Sequence, residues 1–175
     1  MNIEIATAFK MIKELGDCYI VGGSLLPHPI RDYDILIFNH KLPDFCCIKR
    51  YWERHYKEYG ASEVKCYAVY DEDDEGKSAI VKIKVQGIWI DLLYVSKNFH
   101  MPVENYMDLT FPISVQRVAI SLSTGLLYGA VDVENITFFC EWDSKYLIKY
   151  QKYYPNAWFK KVKQRSLSCE TKETE

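Results

Sequence analysis

Three strand-like runs crowd into residues 62 to 95, "SEVKCYAVY", "SAIVKIKV" and "IWIDLLYV", and the links between them leave few arrangements open. The first two are joined across "DEDDEGK" and the last two across Gln86-Gly87, so the runs predict an antiparallel meander. One carboxylate interrupts it. Asp91 sits inside the most apolar of the three runs, where a lone charge is costly unless it is paired or coordinating.

Other elements surround the meander. Ile3, Ile5, Ala8, Phe9, Ile12 and Leu15 fall at helical spacing, with Gly16 where a helix would stop. "CYIVGG" reads as a short buried strand and "YDILIF" as a second, and "PDFCCIKRYWERHYKEY" as an amphipathic helix ended by Gly60. Beyond the meander the pattern predicts a helix over about 113–123, extended pieces around "GLLYG" and "NITFF", and a helix from near Asp143. This order predicts an α/β (α+β) domain with a mixed, mostly antiparallel central sheet flanked by helices. A chain of 175 residues, about half apolar, is long enough for one domain with a sizeable core. We expect that domain over residues 1–165, with a core at 1–95, a helical and basic-aromatic extension at 96–165, and a disordered tail at 166–175, where the sequence turns polar.

Composition excludes more than it assigns. The net charge of -2 announces no nucleic-acid binder, so any such surface has to be local. The six cysteines form no C-x-x-C pair, which predicts reduced thiols rather than a zinc site or disulfide framework. No apolar run approaches the roughly 18 residues a membrane helix needs, and the N-terminus lacks the look of a leader; a cytoplasmic protein with no membrane partner is the expectation.

The chemistry concentrates in "YIVGGSLLPHPIRDYDILIF", residues 19 to 38. Alternation along a strand turns Asp32 and Asp34 to one side and Tyr33 to the other. Two neighbouring carboxylates repel, and need a proton, a cation or a metal to coexist. If the Asp91 strand lies beside the one that follows Asp34, the three carboxylates converge into an oxygen-only site suited to Mg²⁺ or Mn²⁺. Gly22 and Gly23 let a ligand approach the backbone, and Ser24 offers a hydroxyl and an N–H to phosphate oxygens. Each piece has a plainer reading, as an ordinary turn, solvated loop carboxylates or a satisfied buried aspartate; specificity comes from their order along the chain. Together they imply a nucleoside triphosphate.

A second region stands out near the C-terminus. "SKYLIKYQKYYPNAWFKKVKQR", residues 144 to 165, carries Lys149, Lys152, Lys160, Lys161, Lys163 and Arg165, no acidic residue, and interleaved aromatic rings. Lysines that neutralise phosphates beside rings that stack on unpaired bases suit single-stranded or looped RNA. An amphipathic helix with its rings on the sheet and its lysines outside fits as well. Both can hold at once. The acidic run at 71–76 reads as a solvated hairpin turn, since it lacks the spacing of a calcium loop.

The helix, the strand-"GGS" turn, the "DYD" that opens a strand and the third aspartate on a later strand resemble the nucleotidyltransferase superfamily that includes DNA polymerase beta, poly(A) polymerases and CCA-adding enzymes. The likeness covers about residues 1 to 95. A further stretch, "LTFPISVQRVAISLSTGLLYG", is loosely similar to the segment after the third carboxylate in CCA-adding and bacterial poly(A) polymerase head domains. The resemblance implies that Gly23 and Ser24 hold the triphosphate, that Asp32 and Asp34 bind two metal ions, and that Asp91 completes the one nearer the attacking hydroxyl. It also implies that Gln116 and Arg117 lie near the nucleotide. "LLPHP" stands where the polymerase-beta branch commonly has an arginine, and Arg31 supplies a positive charge just before the first aspartate. The implied activity is transfer of a nucleoside monophosphate to an RNA or tRNA 3′ end, with a partner chain for acceptor recognition. Alternatives are a protein or small-molecule acceptor, a toxin-like transferase acting on tRNA ends, and a non-catalytic nucleotide- or RNA-binding module.

Overall fold

The computed structural model describes residues 3–26, 32–69, 77–99, 101–139 and 144–162. A seven-stranded sheet organises them, in the order β3-β4-β5-β2-β1-β6-β7. Its strands are β1 (Asp17–Val21), β2 (Asp32–Phe38), β3 (Ala61–Ala68), β4 (Lys77–Val85), β5 (Ile88–Val95), β6 (Val118–Ser121) and β7 (Leu127–Gly129). Every neighbouring pair is antiparallel except β2 and β5. The expected meander is β3-β4-β5. The turn after β4 places Gln86 at φ 50° and Gly87 at φ 77°, the left-handed pair that a two-residue hairpin turn needs.

Alternation sorts the strand residues into two faces. Ile35, Ile37, Ile83 and Leu92 pack with α1 (Ile3–Ile12) and α2 (Phe45–His55), whose Phe9, Ile48 and Trp52 enter the same core. Two contacts pin α2 and the chain around it: Trp52 Nε1 donates to the Tyr94 hydroxyl at 2.8 Å, and the Asp44 carboxylate caps the helix by accepting from the Cys47 N–H at 2.9 Å. At Gly16 a side chain would collide with the Phe38 carbonyl, 2.3 Å from an ideal Cβ, so the end of the first helical segment requires glycine. Leu36, Phe38, Leu93 and Val95 point to the other face and are covered by α3 (Val103–Thr110) through Val103, Tyr106 and Met107.

The helix expected over 113–123 is not formed. A short 3-10 turn at Ser114–Gln116 leads into β6, which pairs with β1 on one side and β7 on the other. Val115, Val118 and Ala119 imitate helical spacing, but β-branched Val118 and Ile120 suit a strand, and the edge of β1 supplies backbone partners that propensity cannot outweigh. The helix lies upstream instead: Val103, Tyr106, Met107 and Thr110 are buried at i, i+3, i+4 and i+7. The extension is therefore not simply helical. It contains α3, α4 (Ser144–Tyr153) and a parallel pair, β8 (Asn135–Phe138) with β9 (Trp158–Lys161). Tyr150 of α4 closes a third core with Leu26, Ile113, Ile136 and Phe138. Among the described residues, Cys18, Cys46, Cys47 and Cys66 are free thiols, and no helix is long and apolar enough to cross a membrane.

Candidate active site

The parallel pairing of β2 with β5 sets Asp34 directly opposite Asp91 and Asp32 opposite Trp89. Tyr33 goes to the helical core, against Phe9, so the two β2 carboxylates share the face that carries Asp91. Asp32 is exposed and Asp34 half-buried, whereas Asp91 is 8% exposed. A fourth charge joins them from β4: Lys82 pairs with Asp91 across the hairpin, its Nζ 2.8 Å from Asp91 Oδ2. Partial burial pulls the Lys82 ammonium down. Its hydrogen bond to Asp91 and the fields of Asp91, Asp34 and Asp32 outweigh that and hold its pKa above the usual lysine value. All three carboxylates thus act on one ammonium.

Sequence reasoning missed Lys82, although its signal was readable. With a two-residue turn at Gln86-Gly87, counting back pairs Val85 with Ile88, Lys84 with Trp89 and Lys82 with Asp91. Among the described residues, no three His, Cys, Asp or Glu side chains converge tightly enough to hold a metal ion; here Lys82 lies against Asp91. The donor set nevertheless fits a hard cation. It is all oxygen, and Asp91 Oδ1 is buried with no hydrogen-bond partner, a cost a native site rarely carries without use.

The phosphate-binding candidate adjoins the carboxylates. Val21, the last residue of β1, pairs with Asp34, so the 3-10 turn Gly22–Leu25 begins one residue past that pair. Gly22 has φ +73°, and a Cβ there would stand 3.9 Å from Asp34 Oδ2. Ser24 Oγ is buried and lacks a hydrogen-bond partner. The turn packs against the one at Ser114–Gln116, which brings Gln116 to the same end of the sheet. The Gln116 side chain hydrogen-bonds the Tyr150 hydroxyl, whose pKa is pushed up to about 12 by burial, with the fields of Tyr146, Tyr154 and Asp34 adding. Tyr150 therefore links α4 electrostatically to Asp34.

Arg117 has structural partners. Its guanidinium carbon lies 3.7 Å from the Phe139 ring centroid, Nε donates to the Phe111 carbonyl at 2.8 Å, and a longer ion pair reaches Asp108 at 3.5 Å. Lys149 and Lys152 are exposed on α4, and Lys160 and Lys161 on β9, while Tyr146, Leu147 and Tyr154 pack inward around Tyr150. Trp158, 79% exposed, stands beside the β9 lysines. Arg31, Lys163 and Arg165, the acidic run at 71–76 and the tail at 166–175 lie outside the described residues.

No family model and no curated protein sequence matches the chain. Solved structures do match. One titled a tRNA-processing enzyme (apo form I) aligns over 97% of this chain and 45% of its own, with a TM-score of 0.53 and 18% identity. A tRNA nucleotidyltransferase complexed with a primer tRNA and an incoming ATP analog aligns over 94% of this chain and 48% of its own, with a TM-score of 0.51 and 17% identity. The fold is that of a nucleotidyltransferase. The chain spans less than half the length of these structures, and identities this low establish the fold and not the activity. Within the nucleotidyltransferase fold, the mixed sheet and the parallel β2-β5 pair are what bring Asp34 beside Asp91.

Proposed function

We propose that the protein is a metal-dependent nucleotidyltransferase that moves a nucleoside monophosphate from a nucleoside triphosphate to a hydroxyl, with an RNA or tRNA 3′ end as the acceptor. The observation that carries this reading is the β2-β5 register: it sets Asp34 against Asp91 beside a glycine-serine turn whose buried serine hydroxyl has no partner. Asp32, Asp34 and Asp91 would hold Mg²⁺ or Mn²⁺, which when bound acidifies the acceptor hydroxyl and screens the phosphates. Gly22, Gly23 and Ser24 receive the triphosphate through backbone N–H groups and Ser24 Oγ, with Arg31 as a further cation. Gln116 and Arg117 flank the nucleotide on the β6 side. The acceptor oxygen bonds to the α-phosphorus as the bond from that phosphorus to the β-phosphate oxygen breaks. Pyrophosphate leaves, and in this reading Asp91 takes up the hydroxyl proton. Without metal, Lys82 balances Asp91.

The lysines of α4 and β9, with Lys163 and Arg165, are read as phosphate contacts to the body of the acceptor. In this reading residues 1–165 are one domain working in the cytoplasm, and a partner chain aids acceptor recognition. Incubating the purified protein with each of the four α-labelled triphosphates, Mg²⁺ or Mn²⁺ and total RNA tests it, with Asp32→Asn/Asp34→Asn as control. Label entering RNA with the wild type and not the control carries the reading and identifies the nucleotide. No transfer, but metal-dependent triphosphate binding lost in the control, moves the acceptor to a protein or small molecule. Neither binding nor transfer ends the enzymatic reading.

A further inference from the structure

The face that carries the carboxylates continues over β4 and β3, and its chemistry changes sign at Lys82, Lys84 and Lys65. Alternation puts Lys65 and Tyr67 of β3, Lys82 and Lys84 of β4, and Trp89 of β5 on that face, since Lys65 pairs with Lys82 and Lys84 with Trp89. Trp89 is half-buried and Lys65 exposed. The indole is flanked by two ammonium groups, Lys65 Nζ 5.1 Å and Lys84 Nζ 5.6 Å from its centroid. Tyr67, 47% exposed, is a second ring on the same strand as Lys65. On its other side Trp89 is the cross-strand neighbour of Asp32, at the roughly 4.8 Å spacing of adjacent strands.

We infer that Lys65, Trp89 and Lys84 form the platform that seats the unpaired 3′-terminal nucleotides of a nucleic-acid acceptor. The inference rests on the transferase reading and deepens it. Strand order decides which substrate goes where. The glycine-serine turn follows β1 on one side of the β2 carboxylates Asp32 and Asp34, and Trp89 on β5 and the lysines on β4 and β3 lie on the other. With the triphosphate on the β1 side, the attacking hydroxyl must approach from the β4 side. What it meets there is an aromatic face for a base and two flexible cations for the flanking phosphates. The charge complementarity is local, because the chain as a whole carries -2. Glu63 works against it, with Oε2 3.5 Å from Lys84 Nζ.

The test measures binding without triphosphate, so that it does not depend on turnover. A 5′-fluorescein oligoribonucleotide of about eight unpaired nucleotides is titrated against the full chain by anisotropy, and a 3′-terminal 4-thiouridine version is photo-crosslinked and mapped. We expect Trp89→Ala to weaken binding by about tenfold or more, Trp89→Phe to retain most of it, and Glu63→Gln to strengthen it. The double variant Lys65→Ala/Lys84→Ala should reduce the slope of log affinity against log salt by about 1.4, two phosphate contacts at about 0.7 each. The crosslink should map to β5 at Trp89. Affinity and slope unchanged in these variants, a 3′-end crosslink confined to α4 or β9, or no RNA binding at all would each overturn the platform. A transferase active on RNA with such a misplaced crosslink would leave the catalytic reading standing. Platform binding with no transfer of any nucleotide would do the reverse.

Discussion

Among the described residues, Asp91 is the charged side chain that the fold buries. It is 8% exposed in an apolar strand, with one oxygen on Lys82 and the other without a hydrogen-bond partner. Lys82→Met would leave that carboxylate without its cation. Breaking a fully buried pair costs about 3–5 kcal/mol, but the Lys82 side chain is 38% exposed, and solvent screening brings the expected loss to about 1–2 kcal/mol. Thermal melting in chelator should show a fall of several degrees, and millimolar Mg²⁺ should narrow the gap by supplying the missing charge. Asp34→Asn is expected to behave oppositely. It removes a like charge from beside Asp91 and leaves Lys82 in place, so the variant should melt at or above the wild-type temperature in chelator while losing nucleotidyl transfer by a thousandfold or more. A clear drop in its melting temperature would show that Asp34 serves the fold rather than the chemistry.

At the scale of elements, α4 is joined to the site through Tyr150, and that joint has a pH signature. Burial raises the Tyr150 pKa to about 12, so above pH 10 the unfolded chain gives up its phenolic proton before the folded one does. The stability that this hydroxyl contributes is complete below about pH 10 and is lost as the pH rises through about 12, at roughly 1.4 kcal/mol per pH unit. Tyr150→Phe keeps the packing and should flatten that part of the alkaline limb, measured by denaturant melts at stepped pH; an unchanged limb would place the alkaline loss elsewhere. How far such elements can be read from the sequence depends on whether their partners are local. The β4-β5 hairpin follows from a two-residue turn, and the sidedness of Asp32 and Asp34 from alternation alone. The parallel register of β2 with β5 could be stated only as a condition, because residues 39 to 87 intervene and no local signal fixes how distant strands align. The 113–123 segment failed for the same reason: Val115, Val118 and Ala119 fit a helix until β1 offers an edge. Lys82 is legible by counting back from the Gln86-Gly87 turn, because a hairpin register is local.

Across the whole molecule, the carboxylates and the glycine-serine turn come from elements that meet only when the sheet is complete. Asp34 is on β2, Asp91 on β5, and Gly22–Leu25 follows β1. A ligand that spans them therefore binds the folded chain and not the unfolded one, and must raise its stability by mass action. At a hundred times its dissociation constant, a metal-triphosphate complex should add about 2.7 kcal/mol, which for a chain of this size is a rise of roughly 5–10 °C in melting temperature. The rise should require both components. Triphosphate alone adds negative charge beside Asp32, Asp34 and Asp91, and the divalent ion alone has no phosphate to bridge. Asp34→Asn/Asp91→Asn should abolish the joint effect while the variant still melts cooperatively. Comparing the four nucleotides in this melt would rank them before any acceptor is known. An equal shift with triphosphate in chelator would mean that the turn binds phosphate independently of the carboxylates, and the two halves of the site would then have to be assigned separate functions.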